Sequence, residues 1–320
     1  MSSLRPEVRA LRPEDAPAFG GFTFPAFRHL LGLQPYVNAL QDPTQPDSEV
    51  PREPFAFGVF VEGSPAGLFL GSIPQDSRRE RDRLRNPEIL SLFVGSAHRR
   101  KGLAGALLAA AESHLRERGE RFVHGIYMTG QPSIAVLEGM LSRRGFSAPS
   151  FRFASARFTQ AKLREAEWIQ RLPRIKGYET VPWHELRDEE TRDALMRHQA
   201  EPWIPDSLRF WLFSPEMADR ATSLGIRYKG ELVGWVLNHA YRDTGALRFS
   251  TVFVRWDLAR LGMALPAVAR SIELMPSAGY THGSFVTPPH LEGMQAAIAK
   301  YVAPWADFVG ESRGVYKELS

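Results

Sequence analysis

One ordered set of residues occurs twice in this chain, 160 positions apart, and it limits the possible folds more than any other feature. Phe93-Val94 followed by Gly102-Leu103-Ala104 returns as Phe253-Val254 followed by Gly262-Met263-Ala264. Each copy leads into a helical pattern that ends at a glycine, Gly119 or Gly279. A His-Gly pair, His124-Gly125 or His282-Gly283, then opens another apolar strand. A lone glycine match arises by chance, whereas an ordered series like this marks a duplicated βα unit. The 320 residues leave room for two domains of ordinary size.

The first copy shows what chemistry the unit suits. Ile89, Leu90, Leu92, Phe93 and Val94 form a short apolar run of strand formers. Arg99, Arg100 and Lys101 come next, then Gly102. Beyond it, Ala104, Leu107, Leu108, Ala111 and Leu115 fall on one face of a helix, and Gly119 is placed as its C-cap. The first turn of a helix has unpaired N–H groups and a partial positive charge, which suit an anion and a phosphate above all. A residue without a side chain at 102 lets the backbone approach a diphosphate closely, and the basic neighbours add charge. The same residues also fit an ordinary βα connection with a solvated basic loop, and spacing alone does not choose between the two.

Other chemistries find no footing. The chain has no cysteine, which excludes disulfides, thiolate metal sites and Cys nucleophiles and suits the cytoplasm. Its histidines show no His-x-x-x-His or His-Glu-x-x-His spacing, so no metal is expected. A Gly-x-Ser-x-Gly elbow, a Walker loop and a Gly-x-Gly-x-x-Gly fingerprint are all missing. No apolar run approaches the roughly 18 residues of a membrane span, and the N-terminus lacks the apolar core of a signal peptide. The net charge of +4 is a slight excess. With no basic stripe interleaved with aromatics, nucleic acid is not an expected partner.

Along the chain, Glu7 to Leu11 reads as a first strand and Arg12 to Asp15 as the start of a helical region. Residues 20–50 are rich in aromatics, Gly and Pro and poorly periodic. Runs 55–62 and 66–73 flank Gly63-Ser64-Pro65 as a hairpin. Arg78 to Arg85 is a mixed-charge run expected in an exposed loop. A strand over 122–128, a helix over 133–143, and alternating residues 151–159 are expected to finish a first domain, 1–160. Residues 161–176 read as a linker. A second domain, 177–320, repeats the order: hairpin 223–228 and 232–239 about Lys229-Gly230, strand 247–254, helix to Met275, strand 284–287, helix 294–301 and a terminal strand over 313–319. Trp203, Trp211, Trp235 and Trp256 are expected in its core or an interface.

The hexapeptide Arg99-Arg100-Lys101-Gly102-Leu103-Ala104 matches the Arg/Gln-x-x-Gly-x-Gly/Ala signature of the GNAT superfamily of acyl-CoA-dependent N-acetyltransferases. The strand ending in Phe93-Val94 and the later Gly145-Phe146 also resemble that family's pattern. Through the repeat the resemblance extends over both halves, in a tandem layout similar to that of mycothiol synthases. It implies an α/β (α+β) fold of two tandem GNAT-like domains, each a mixed, mostly antiparallel central sheet flanked by helices. The activity implied is transfer of an acetyl group from acetyl-CoA to an amine acceptor by direct attack, in the cytoplasm, with no metal.

By that resemblance Arg99, Arg100, Lys101, Gly102, Leu103, Ala104 and Gly105 bind the acetyl-CoA diphosphate. Backbone groups around Phe93 and Val94 pair with its pantetheine arm where such sheets splay. Glu88, six residues before Val94, matches the general-base glutamate of the histone-acetylating branch; the other reading is a solvent-facing residue at a strand start. The family's usual general acid is a tyrosine four residues before the closing glycine, but Leu141 stands there. Tyr127 is the substitute acid, or else a core tyrosine. Ser133 either caps the next helix or touches the pantetheine arm. The second copy has Arg248 in place of Glu88 and Ala259 in place of Arg99, yet keeps Tyr301. The first copy is therefore the expected CoA site and the second a degenerate one. Two alternatives stand beside this: a non-catalytic acyl-CoA-binding regulatory protein, or catalysis in the second domain through Tyr301.

Overall fold

The computed structural model describes residues 6–37, 51–75, 86–172, 174–212 and 218–319. The mixed-charge run at 78–85 lies outside them. The first half opens with β1 (Glu7–Ala10), a short helix α1 (Ala16–Phe19) and a two-residue strand β2 (Tyr36–Val37). A long hairpin follows, β3 (Pro51–Val61) and β4 (Ser64–Pro74), then β5 (Glu88–Val94), α2 (Leu103–Glu117), β6 (Phe122–Met128) and α3 (Ile134–Arg143). The hairpin turns on Glu62 and Gly63, both left-handed at φ 54° and 75°. That two-residue turn matches the twist of the flanking strands, so Ser64 and Pro65, expected in the turn, already belong to β4.

The rest comprises β7 (Ser150–Thr159), α4 (Glu167–Gln170), β8 (Tyr178–Pro182), α5 (Asp188–Ala200), β9 (Leu224–Tyr228), β10 (Glu231–Tyr241) and β11 (Ala246–Val254). It ends with α6 (Trp256–Ala259), α7 (Ala264–Leu274), β12 (His282–Thr287), α8 (Glu292–Tyr301) and β13 (Phe308–Glu318). Contacts divide the chain into two units, Met1–Phe151 with Arg313–Ser320, and Arg152–Ser312. Each is a mixed sheet flanked by helices. In the first the strand order is β1-β3-β4-β5-β6 and then residues 313–318 of β13; in the second it is β8-β9-β10-β11-β12-β7 and then residues 308–312. Neighbours pair antiparallel in each hairpin, while β5 with β6 and β11 with β12 run parallel.

This division departs from the expected boundary after residue 160. Strand β7 pairs with β12, from Thr159 opposite His282 to Ala154 opposite Thr287. The fit has a physical cause: Phe158 lies opposite Gly283, and a Cβ at 283 would stand 2.1 Å from the Phe158 ring. The equivalent place in the first unit belongs to the last strand. Leu319 N–H donates to the Arg121 carbonyl at 2.7 Å, and Val315 and Leu319 enter the core beneath α2. The segment expected as a linker is likewise part of the second unit, packing Leu163, Ala166, Trp168, Ile169 and Ile175 against its core.

The repeat is visible in detail. Gly95 N–H donates to the Ala66 carbonyl at 2.9 Å, and Arg255 N–H to that of Val233 at 2.8 Å. A Cβ on Gly67 would meet the Phe93 carbonyl at 2.8 Å; one on Gly234 would meet that of Phe253 at 2.3 Å. Both hairpin partners carry a bulge at the same point. The register slips between Leu70 and Gly71 and between Leu237 and Asn238, so that Leu90 and Ser250 are the extra residues. In the first unit Leu107, Leu108, Ala111 and Leu115 of α2 lie fully buried on Val59, Phe69 and Val123. Each such leucine contributes about 2 kcal/mol of burial.

Candidate active site

The junction between β5 and α2 is open on the side where an anion would approach. Gly102 takes φ 79°, a left-handed conformation that any side chain would strain, and a Cβ there would meet nothing within 4 Å. Space at Gly105 is equally free. The first intrahelical bond runs from Ala106 N–H to the Gly102 carbonyl. The amides of Leu103, Ala104 and Gly105 therefore have no partner within the helix. No acidic side chain occupies the first turn. Arg100 and Lys101 are exposed beside it, with Arg100 itself left-handed at φ 60°. Leu103 turns its side chain into the core while its amide faces the junction. Arg99 folds back: its Nε donates to the Val94 carbonyl at 3.0 Å, and its guanidinium lies 5.6 Å over the Phe93 ring.

Next to the junction the sheet opens. Strands β5 and β6 pair at Glu88 with His124 and Ile89 with Gly125, after which β5 has no strand partner on that side among the described residues. The register decides which peptide groups face the gap. Because Gly95 bonds Ala66, Phe93 and Ser91 direct their N–H and C=O groups to β4, leaving those of Leu92 and Val94 toward the opening. From Glu88 to Val94 the strand measures about 20 Å at roughly 3.3 Å per residue.

Glu88 sits half-buried at the narrow end of the gap. Directly opposite it stand Ser72 on β4 and His124 on β6. Ile89, Val123 and Val315 point into the core under α2, so Glu88, His124 and Tyr316 share the other face. The His124 and Tyr316 rings are 6.3 Å apart, and His124 Nε2 lies 3.5 Å from the Asn86 amide nitrogen. Buried Arg52 ties the row down, donating to the Ser72 hydroxyl at 2.9 Å and to the Asn86 carbonyl at 3.0 Å. Sequence reading missed His124 and Tyr316 as site residues. In the sequence the first stands out only as a marker of the repeat, and the second falls in the terminal strand of the other half of the chain.

Tyr127 lies on the α2 face, opposite Glu88. Its hydroxyl donates to Glu138 Oε1 at 2.8 Å, and Arg313 binds the same oxygen at 2.8 Å. Arg313 first, and then Tyr127, hold the Glu138 carboxyl below its ordinary range. Leu141 is core, 5% exposed. Ser133 is exposed at the start of α3 with an αR backbone and makes no side-chain cap bond, so the capping expectation is corrected: a hydroxyl caps from extended geometry, which Ser133 lacks.

The second copy preserves the shape and changes the chemistry. Gly262 is again left-handed, at φ 71°. Only Arg260 remains of the three basic residues, and Arg248 replaces the carboxylate opposite His239 and Ser284. Tyr301, on α8, packs its ring 5.8 Å from that of Trp168. Among the described residues no cluster of three or more His, Cys, Asp or Glu is placed to hold a metal, and no helix is long and apolar enough to cross a membrane.

Comparison with known proteins agrees with this geometry. Residues 24–140, which include the β5–α2 junction, match the acetyltransferase (GNAT) family. The whole chain is similar in fold to a tandem GNAT protein from the clavulanic acid biosynthesis pathway, with 13% identity, 99% of each chain covered and a TM-score of 0.56. It is also similar to a GCN5-related N-acetyltransferase from Sphaerobacter thermophilus, with 16% identity over 98% of this chain and 96% of that one and a TM-score of 0.52. No curated protein sequence matches significantly.

Proposed function

From a chain that carries the acetyltransferase (GNAT) domain at residues 24–140 and the tandem GNAT fold over its length, we propose a cytoplasmic, acetyl-CoA-dependent N-acetyltransferase whose first unit binds the donor and acetylates an amine. The observation that carries this reading is the open junction at Gly102: three unpaired helix amides and two exposed cations beside a gap in the sheet. Acetyl-CoA would supply an activated thioester. The amides of Leu103, Ala104 and Gly105, with Arg100 and Lys101, would hold its diphosphate, and Arg99 would fix the loop against Val94. Leu92 and Val94 would pair with the arm as a false strand, with Phe93 packing beside it and the Ser133 hydroxyl within reach.

Glu88 would take the proton of the incoming amine, directly or through water, with His124 beside it. Tyr127, bordering the gap from the opposite face, would deliver a proton to the departing sulfur. Base and acid on opposite faces suit attack from one side and departure on the other. The test is a panel of amines mixed with acetyl-CoA and the full chain, with release of free thiol as the signal. Glu88→Gln should lower turnover by about a hundredfold or more while CoA affinity stays unchanged. Undiminished transfer by that variant would refute the assignment.

A further inference from the structure

Across the second unit runs a row equivalent to that of Glu88, and it is basic. In the first unit the row reads Ser72, Glu88, His124, Tyr316. In the second, register places His239, Arg248, Ser284 and Arg157 side by side on β10, β11, β12 and β7. They share one face: Leu247 and Phe249, flanking Arg248, point into the core under α7, and so do Phe158 and Phe285. Neighbouring strands are about 4.8 Å apart, so the two arginines start about 10 Å from each other with a serine between them.

Among the described residues no ion pair joins a carboxylate to either arginine. Arg248 is half-buried, and its Nε is inaccessible to solvent with no hydrogen-bond partner among the described residues. Arg157 is exposed and lies over the Phe308 ring, 4.2 Å from its centre, with no ion-pair partner among the described residues. A buried guanidinium nitrogen left unpaired is costly, and a fold carrying one at the centre of a sheet is short of an anion. A second orphan lies beside it. Thr251, next along β11 on this face and opposite Leu237, is 2% exposed, and its hydroxyl has no partner among the described residues. His239 adds a hydrogen-bonding ring rather than a charge. It pairs with the Ser250 hydroxyl at 2.5 Å, and burial, then Arg248, lowers its pKa.

We propose that the second unit binds a small anionic molecule, through carboxylate or phosphate oxygens, on this row. Arg248 is the central contact, Arg157 the second charge, and Ser284 and Thr251 supply hydroxyls. The missing carboxylate is then a conversion rather than a decay: the position that removes a proton in one copy recognises an acid in the other. This site does not depend on acyl transfer in the first unit.

The chain supplies its own reporter. All seven tryptophans, at 168, 183, 203, 211, 235, 256 and 305, belong to the second unit. Intrinsic tryptophan fluorescence of the full chain should change saturably when titrated with citrate or with inorganic pyrophosphate at low salt, and the tighter of the two identifies the oxygen chemistry. Arg248→Gln should weaken binding by about ten- to a hundredfold, the worth of a hydrogen bond to a charged group. Arg157→Gln, at an exposed position that leaves the core intact, should also weaken it and serves as the test if the first variant folds poorly. A flat response to both anions, parental affinity in a folded Arg248→Gln, or, where that variant does not fold, parental affinity in Arg157→Gln would overturn the proposal.

Discussion

Gly102→Glu separates backbone strain from anion binding in the first unit. At φ 79° any side chain is held left-handed, which costs about 1–2 kcal/mol. The added Cβ meets nothing within 4 Å, so no packing cost is added. The melting temperature should fall by only a few degrees. Binding should respond far more. A carboxylate about 4 Å from a diphosphate, at an effective dielectric near 20, is repelled by about 4 kcal/mol, roughly a thousandfold in Kd. Gly102→Ala has the same strain without the charge and should bind within a few fold of the parent. Isothermal titration with CoA, paired with thermal unfolding, reads both quantities. The penalty in Gly102→Glu should shrink as salt is raised. If Gly102→Glu remains folded and binds CoA as well as Gly102→Ala, the diphosphate does not sit on this turn.

Three other outcomes are expected. Tyr127→Phe should lower turnover without changing CoA affinity, and unchanged kcat would mean that its bond to Glu138 is structural only. Gly67→Ala should destabilise the chain by about 1–3 kcal/mol, because the new Cβ lies 2.8 Å from the Phe93 carbonyl, a backbone atom that has to move; an unaltered melting temperature would contradict this. In the second unit Arg227, with help from the Arg187 amide, holds the buried Glu190 carboxyl down at about 2, against 4.5 ordinarily. A lowered native pKa stabilises fully above the ordinary value, and that contribution is lost as pH falls from about 4.5 toward 2. Glu190→Gln should therefore flatten the acid side of the stability curve measured by tryptophan fluorescence during urea unfolding.

Much of this was legible because the local signals were strong. The stripe from Ala104 to Leu115 places α2 within two residues, and Lys229-Gly230 marks its hairpin turn, with both residues left-handed. The 160-residue offset carries over to the bulge, where Leu90 and Ser250 are the extra residues. Strand partners outside the hairpins were not legible. Nothing near residues 150–159 announces that Phe158 needs Gly283 opposite, and the alternation of 313–319 does not name β6 as its neighbour. For the same reason the row around Glu88 stayed hidden, since His124 and Tyr316 reach it only through pairing of distant strands. The helical cap at Ser133 failed on backbone geometry, which composition does not encode.

The placement of residues 313–318 beside β6 has a consequence for synthesis. Residue 151 leaves the ribosome some 160 residues before the strand that completes its sheet. At about 5–20 residues per second that is roughly ten to thirty seconds. Throughout this interval the edge of β6 is an unfilled template for any passing strand. The nascent first unit has to be shielded or remain loose until residues 313–318 have been made, so that its maturation waits on a strand encoded some 160 codons downstream.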